Sequence, residues 1–158
     1  MSQGNAISTT IDWFYEDVVL DEPLMSQGRT ITESDSNFFC MLTGDWNPLH
    51  CDEQAAKASR FGRRVVAGFL GMSLINAALH QWGVFANSGL AMLGIRDWKF
   101  VRPIYFGDTL KVEMRVTGKR KTSRGDAGIL MREFTIRNQD GEVVQSGYSD
   151  MLIALRPA

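Results

Sequence analysis

An aspartate and a histidine lie five positions apart in one short polar segment, as Asp45 and His50 of residues 43–52. Between them, Pro48 fixes its own φ and biases Asn47 toward an extended conformation, so this stretch of chain is stiff. Such a segment can direct a carboxylate and an imidazole at one water molecule. One group can then accept a proton while the other donates one, because imidazole titrates near neutral pH. The pair predicts general acid–base chemistry on a bound water.

The same residues also have a purely structural interpretation. Asp45 follows a glycine that can end a helix, and it would suit a turn. Asn47-Pro48 is a common turn dipeptide, and His50 could cap a helix or simply pack. The spacing by itself therefore leaves both interpretations open.

A second feature is a long apolar segment that begins at Gly68 and runs to Trp82. It is apolar nearly all round, which predicts a helix enclosed by other structure. The free N–H groups at its start would form a positive site, and glycine would permit close approach of a ligand. A carbonyl oxygen that gains negative charge could be stabilised there. The alternative is that Gly68 serves only close packing.

Three polar residues, Ser73, Asn76 and His80, interrupt this apolar helix. At 100° per residue they share one face. Buried polar groups need partners, so the stripe either lines a wet channel or is satisfied by neighbouring backbone.

Helix signals surround the acid–base pair. Thr32 can cap a helix with Asp35 answering it, and Gly44 can end that helix. A shorter helix is predicted over residues 52–58, with Asp52 at its N-terminus. The segment that contains Asp45 and His50, called the reactive segment below (residues 43–52), would then connect two helices.

The second half of the chain changes to a period of two. Residues 111–116 alternate strictly between apolar and charged side chains, and residues 90–101 form an extended run. Asp140-Gly141 is a strong hairpin signal, and residues 125–128 contain a further turn. With a short strand at residues 29–32, the pattern predicts an antiparallel meander of four or five strands. A curved sheet around one long helix, an α+β fold, satisfies it best.

Composition bounds the remaining possibilities. The 158 residues show no linker or repeat, which predicts one domain over residues 1–158. With 17 Lys+Arg against 18 Asp+Glu, the net charge of −1 disfavours a nucleic-acid partner. The first basic residue is Arg29 and no apolar run reaches membrane-spanning length, so we expect a cytoplasmic protein without a membrane partner.

Cysteine and histidine usage indicates neither a disulfide nor a metal. Cys40 and Cys51 are expected to be reduced thiols. Two histidines and two cysteines show no usual ligand spacing, so no metal site is predicted.

Residues 45–52 read Asp-Trp-Asn-Pro-Leu-His-Cys-Asp and are followed by Ala55, Phe61-Gly62 and Gly68. This pattern resembles the D-x-N-P-x-H-x-D…A…F-G…G signature of MaoC-like dehydratases, the (R)-specific enoyl-CoA hydratases of the hot dog fold. Weaker matches extend the resemblance over about residues 30–152: Thr43-Gly44, Arg102-Pro103, Gly107-Asp108 and Asp140-Gly141.

The resemblance implies a sheet wrapped around one central helix, with short helices in the preceding overhanging segment. It also implies reversible hydration of a trans-2-enoyl-CoA. Asp45 and His50 would activate the water, while the amide of Gly68 would hold the thioester oxygen. Asn47 would shape the catalytic loop, and Ser73 or Asn76 would supply a polar group to the substrate. Coenzyme A belongs to the substrate, so no cofactor is expected. A homodimer, alone or within a higher homo-oligomer, would bind acyl-CoA along its interface.

One departure from the family pattern is Ala67, which stands where many relatives have histidine. This departure keeps a non-catalytic acyl-CoA-binding protein open as an alternative, beside an acyl-CoA thioesterase. Coenzyme A carries phosphates, for which the basic candidates are Arg63, Arg64 and residues 119–124.

Overall fold

The computed structural model describes residues 12–157, which form four helices and six strands. The helices are α1 (Glu33–Thr43), α2 (Pro48–Cys51), α3 (Glu53–Ala58) and α4 (Gly68–Trp82). The strands are β1 (Leu24–Met25), β2 (Arg29–Thr30), β3 (Gly89–Phe100), β4 (Thr109–Lys121), β5 (Ala127–Arg137) and β6 (Val143–Ala154).

All strands pair antiparallel, in the order β1-β4-β5-β6-β3, and β2 also pairs with β4. Strands β4, β5 and β6 form the expected meander, and Gly125 and Gly141 occupy their turns at φ 70° and 77°. The meander prediction is wrong for β3, which pairs with β6 instead of β4. Residues 101–108 carry the chain to the other side of the sheet because this stretch, with Pro103, is too long for a tight hairpin.

Helix α4 packs one of its faces against the sheet, as the predicted α+β fold requires. The core between them consists of side chains that are at most 7% exposed: Leu70, Leu74, Ile75 and Ala78 from the helix, and Val112, Met114, Phe134 and Ile136 from the strands. These residues recur at helical spacing in α4 and at alternate positions in β4 and β5. Burial of this set holds the start of α4 at a fixed place on the sheet.

The other face of α4 is exposed, so the prediction of an enclosed helix is wrong for the single chain by itself. Phe69 is 64% exposed, and Ser73, Asn76 and His80 lie along the same exposed stripe. Phe69 contacts the Phe100 ring of β3 and α1 borders the stripe at Ser73, but within residues 12–157 these contacts leave the side chains of this face exposed.

The predicted helix ends near the reactive segment are confirmed. Thr32 Oγ1 accepts a hydrogen bond from the Asp35 N–H at 3.3 Å, and Asp35 Oδ2 accepts one from the Thr32 N–H at 2.8 Å. Gly44 ends α1 at φ 75°. Asp52 caps α3 by accepting from two backbone N–H groups at 2.8 and 3.0 Å. The sequence analysis missed α2, a single turn that has Pro48 as its first residue.

The two cysteines are free thiols, as predicted, with Cys40 buried and Cys51 exposed. Within residues 12–157, no helix is long and apolar enough to cross a membrane. The same part of the chain contains no cluster of three or more His, Cys, Asp or Glu side chains that could hold a metal ion.

Candidate functional site

The segment between α1 and α3 is folded by its own side chains. Thr43 Oγ1 accepts from the Asp45 N–H at 3.2 Å, and Asp45 Oδ1 accepts from the Asn47 N–H at 3.4 Å. Asn47 then caps α2 by accepting from the Leu49 N–H at 3.0 Å. The φ and ψ of Asn47 are −54° and 132°, the extended conformation that the following proline favours. This chain of turns places Asp45 and His50 on the same side of the segment.

His50 is held by a backbone contact at its first ring nitrogen. Its Nδ1 lies 2.8 Å from the Val65 carbonyl oxygen, and the Val65 N–H donates to the Leu49 carbonyl at 3.0 Å. A carbonyl can only accept, so Nδ1 carries the proton in the neutral ring and Nε2 is left as an acceptor. The hydrogen bond therefore fixes both the orientation of the imidazole and the nitrogen that is available for chemistry.

The available nitrogen of His50 faces the carboxylate of Asp45. The distance from His50 Nε2 to Asp45 Oδ2 is 3.8 Å, which is too long for a direct hydrogen bond. The two atoms can instead share one water molecule. The His50 side chain is only 13% exposed, whereas that of Asp45 is 46% exposed.

A cavity of about 330 Å³ lies beside His50. Its wall combines the reactive segment, the start of α4, the connection after β3, and β6. The residues that define it are His50, Phe61, Gly68, Phe100, Ile104 and Gln145. Asp45 is not part of this wall, but its carboxylate lies next to Nε2 of His50, which is.

Gly68 begins α4 at this cavity. Ala67, the residue before it, provides no side-chain cap, and within residues 12–157 no acceptor is present for the Gly68 N–H. A Cβ at position 68 would lie 2.8 Å from the Phe100 ring, so only glycine allows this approach without a shift. The Gly68 N–H can therefore donate to a ligand in the cavity, at the positive end of a 15-residue helix.

Gln145 connects this helix start to the sheet, and the sequence analysis missed it. Its side chain is 1% exposed; Nε2 donates to the Gly68 carbonyl at 3.0 Å, and Oε1 accepts from Trp98 Nε1 at 3.2 Å. The available signal was a polar residue after two valines at the beginning of a strand. The amide of Gln145 thereby fixes the first turn of α4 relative to β3 and β6.

Replacing Gln145 with methionine is expected to lower the free energy of unfolding by about 2 kcal/mol. Methionine preserves the volume but leaves Trp98 Nε1–H without its acceptor and removes the hydrogen bond that joins the Gly68 carbonyl to the sheet. Urea unfolding monitored by tryptophan fluorescence measures the change, with the exposed Gln54→Met as the matched control. Equal unfolding midpoints for the two variants would show that the hydrogen bonds of the Gln145 amide do not stabilise the fold.

The structure does not bring the polar stripe of α4 into this site. Ser73 donates to the Leu70 carbonyl at 2.7 Å and lines a different cavity, between α1 and α4. Asn76 is exposed on the free face of α4. The structure thus places His50 and Gly68 at one cavity, with Asp45 beside His50, and Asn47 caps the turn that carries His50. It leaves Ser73 and Asn76 apart from this cavity.

Several predicted phosphate-binding cations are engaged elsewhere. Arg64 pairs with Glu33 at 2.6 Å and with Glu53 at 2.8 Å, and the hydrogen bond to Glu53 raises its pKa. Lys119 donates to two main-chain carbonyls. The guanidinium of Arg63 lies 3.8 Å from the ring centroid of Tyr105.

Two other arginines line the cavity of His50. Arg60 and Arg102 both form part of its wall, and Arg102 Nε lies 3.3 Å from Glu142 Oε1. The sequence analysis did not select either residue as a ligand-binding cation. Arg60 lies in a loop without regular secondary structure, so its position depends on how the loop packs.

Residues 17–133 match the protein family described as MaoC like domain. The protein MaoC of Klebsiella aerogenes is 38% identical over 113 residues, a match that covers 69% of this chain but only 31% of that protein. The (R)-specific enoyl-CoA hydratase of Rhodospirillum rubrum is 32% identical over 105 residues, covering 66% of this chain and 70% of that enzyme.

Solved structures share the architecture. A monoamine oxidase regulatory protein of Archaeoglobus fulgius superposes with a TM-score of 0.87 at 30% identity, covering 92% of this chain and 97% of that one. A Mycobacterium tuberculosis protein with a double hotdog fold superposes with a TM-score of 0.77 at 18% identity, covering 92% of this chain and 45% of that one. The chain therefore has the predicted hot dog fold, with the curved sheet and the central helix α4.

Proposed function

Because the chain belongs to the MaoC-like domain family, we propose that it is a hydro-lyase that adds water to a trans-2-enoyl-CoA. The product is the (R)-3-hydroxyacyl-CoA, and the same site catalyses the reverse dehydration. One observation carries the proposal: His50 Nε2 faces Asp45 Oδ2 at 3.8 Å beside a cavity that also contains the start of α4. The (R)-specific hydratase among the relatives supports the same reaction class.

The reaction needs a base, an acid and a site for negative charge. A water held between Asp45 and His50 loses a proton to one of them, and its oxygen forms a bond to C3 of the substrate. The electron pair of the double bond moves toward the thioester oxygen, where the Gly68 N–H donates a hydrogen bond. The protonated member of the pair then delivers a proton to C2. Water is thus added and the protein returns to its starting state.

The purified protein with crotonyl-CoA tests the reaction. Hydration removes the conjugated absorbance of the thioester without releasing free thiol, and chiral analysis of the product should give the (R) isomer. Release of thiol would identify a thioesterase instead. Binding without turnover across enoyl-CoA probes of many chain lengths would identify a non-catalytic acyl-CoA-binding protein, and either result would contradict the proposal.

Arg60 and Arg102 are the proposed contacts for the coenzyme A phosphates. Both line the cavity of His50. Guanidinium groups form paired hydrogen bonds with phosphate oxygens, and a cavity mouth is where the coenzyme part of a thioester must lie.

The proposal includes a homodimer formed at β3. This strand is 12 residues long, and among residues 12–157 it pairs only with β6, so its other edge is free. Large apolar side chains remain exposed along it: Leu90, Met92, Leu93, Ile95 and Phe100. An apolar free edge of this length favours pairing with another strand. An antiparallel copy of β3 related by a two-fold axis satisfies the edge and adds cover for the exposed face of α4.

Replacing Ile95 with lysine is expected to convert the dimer to a monomer. Ile95 is 45% exposed and lies near the middle of β3, so a two-fold axis there would bring the two introduced ammonium groups together. Light scattering should give twice the chain mass of 17.7 kDa for the parent and the single mass for the variant. Val19→Lys, at an exposed apolar residue away from β3, is the matched control. A parent that is monomeric at micromolar concentration would refute the pairing.

A further inference from the structure

A second cavity, of about 320 Å³, lies at the opposite end of α4 from His50. Its wall comes from the end of α4, the loop that follows, the first residues of β3, and the inner face of β5 and β6. Most of the lining is apolar, including Leu79, Phe85, Leu90, Met92 and Met151. Two basic side chains, His80 and Arg132, join this apolar wall.

Arg132 is buried on the inner face of the sheet. It lies on β5 between Leu130 and Phe134, and it is 2% exposed. Its Nε donates to the Ser149 carbonyl at 2.9 Å, and its Nη2 donates to Ser149 Oγ at 3.4 Å. Among residues 12–157 no acceptor is present for Nη1, and no carboxylate forms an ion pair with the guanidinium. The guanidinium of Arg132 is therefore a buried cation that can still donate hydrogen bonds to a ligand in the cavity.

The electrostatic state of Arg132 agrees with this geometry. Burial lowers the pKa of its guanidinium to about 10, and the negative charge of Asp150 opposes that effect without forming an ion pair. A buried cation without a counterion is costly for the folded protein, whereas methionine or leucine would fill the same place without that cost. A ligand that brings an anion would remove the cost.

Strand β3 connects this cavity with the proposed active site. Its first residues, Gly89 to Met92, line the Arg132 cavity, and its last residue, Phe100, lines the His50 cavity. Within one chain the two cavities are separated by α4, whose 15 residues span about 22 Å. Antiparallel pairing of β3 with its copy places the start of one strand beside the end of the other. The Arg132 cavity of one subunit then lies next to the His50 cavity of the other.

We propose that Arg132 binds a carboxylate at the far end of the substrate acyl chain, which enters its cavity from the active site of the neighbouring subunit. The preferred substrates are then enoyl thioesters whose acyl chain ends in a carboxylate. The apolar lining suits the methylene groups, and the free Nη1 together with Nη2 presents two donors to the carboxylate oxygens. This inference rests on the proposed hydratase function and on the dimer at β3.

The experiment compares two sets of trans-2-enoyl-CoA probes of equal chain length, ending in a methyl group or in a carboxylate. For at least one chain length, the parent enzyme should have a kcat/KM at least about tenfold higher for the carboxylate probe. Arg132→Met should abolish this preference while retaining hydration of the methyl probes. Arg132→Lys, which keeps the charge with fewer aligned donors, should retain part of the preference. Arg137→Met, at a half-buried residue on the other face of the same strand, is the matched control and should change neither value.

The outcomes separate this inference from the function on which it rests. Hydration of the methyl probes without a carboxylate preference at any length would overturn the role of Arg132 and leave the hydratase function intact. An unchanged preference in Arg132→Met would overturn the role of Arg132. A loss of the dimer without a change in preference would overturn the path of the acyl chain through the neighbouring subunit. Turnover of neither probe set would overturn both proposals. If Arg132→Met fails to fold, a parent preference that Arg132→Lys does not weaken would overturn the inference.

The carboxylate that binds Arg132 could instead belong to a separate small molecule and not to the acyl chain. Short dicarboxylates added to the methyl-probe assay distinguish it. Under our proposal they inhibit or have no effect, whereas activation that depends on Arg132 would identify a regulatory carboxylate site and would overturn the assignment to the acyl chain.

Discussion

His50→Asn and Asp45→Asn should each lower kcat for hydration by about 10²- to 10⁴-fold, the usual contribution of a positioned acid or base. Each change removes one group that can exchange a proton with the shared water. Both substitutions are chosen to preserve the local fold. The asparagine amide at position 50 can still donate to the Val65 carbonyl, which His50 Nδ1 contacts at 2.8 Å. Asparagine at position 45 still accepts from the Asn47 N–H through its Oδ1.

Steady-state kinetics with crotonyl-CoA, together with thermal unfolding, distinguishes loss of chemistry from loss of structure. Asp52→Asn is the matched control because asparagine caps a helix as well as aspartate does. The double variant should be little worse than either single variant, since the two groups act on one water. Parental turnover in both single variants would contradict the acid–base assignment.

Replacing Gly68 with proline should lower kcat by about 10²- to 10³-fold, the cost of losing one donor to a developing oxyanion. Proline removes the N–H that faces no acceptor within residues 12–157. It is also well tolerated at the first position of a helix. The preceding residue is compatible, because Ala67 has φ −56° and ψ 130°, the region that proline requires before it.

Gly68→Ala is the control that isolates the amide. Either substitution introduces a Cβ that would lie 2.8 Å from the Phe100 ring, but alanine keeps the N–H. The ring is half exposed and can shift, so the alanine variant should lose much less activity than the proline variant. Equal kcat values for the two variants, with both folded by circular dichroism, would show that this amide does not stabilise the transition state.

The sequence was sufficient for elements whose causes lie within a few residues. Thr32 and Asp35 form a capping box across three positions, and Gly44 adopts the left-handed conformation that ends α1. The strict alternation of residues 111–116 lies within β4, with one face buried. The turn chemistry that directs Asp45 and His50 to one side is also local, because Asn47 and Pro48 act on their immediate neighbours. Short-range interactions of this kind depend only on residue type and order.

Topology could not be predicted in the same way. The sequence predicted that β3 would join a simple meander, whereas it pairs with β6 at the edge of the sheet. Strand pairing depends on which long-range arrangement buries the most apolar surface, and neighbouring runs in the chain do not reveal it. The exposed face of α4 shows the same limit, since composition alone suggested a helix enclosed on all sides.

By itself, the sequence determined the hot dog fold class, the ends of α1 and α3, and the residues of the proposed acid–base pair, because local geometry and a short motif specify each of them. Only the tertiary structure decided how the site is completed. Val65 orients His50 from 15 positions away, and Gln145 fixes Gly68 from 77 positions away. It also buried Arg132 without a counterion in a cavity that the first residues of β3 help to line. These contacts form only when distant segments pack together, so neither period nor spacing along the chain could indicate them.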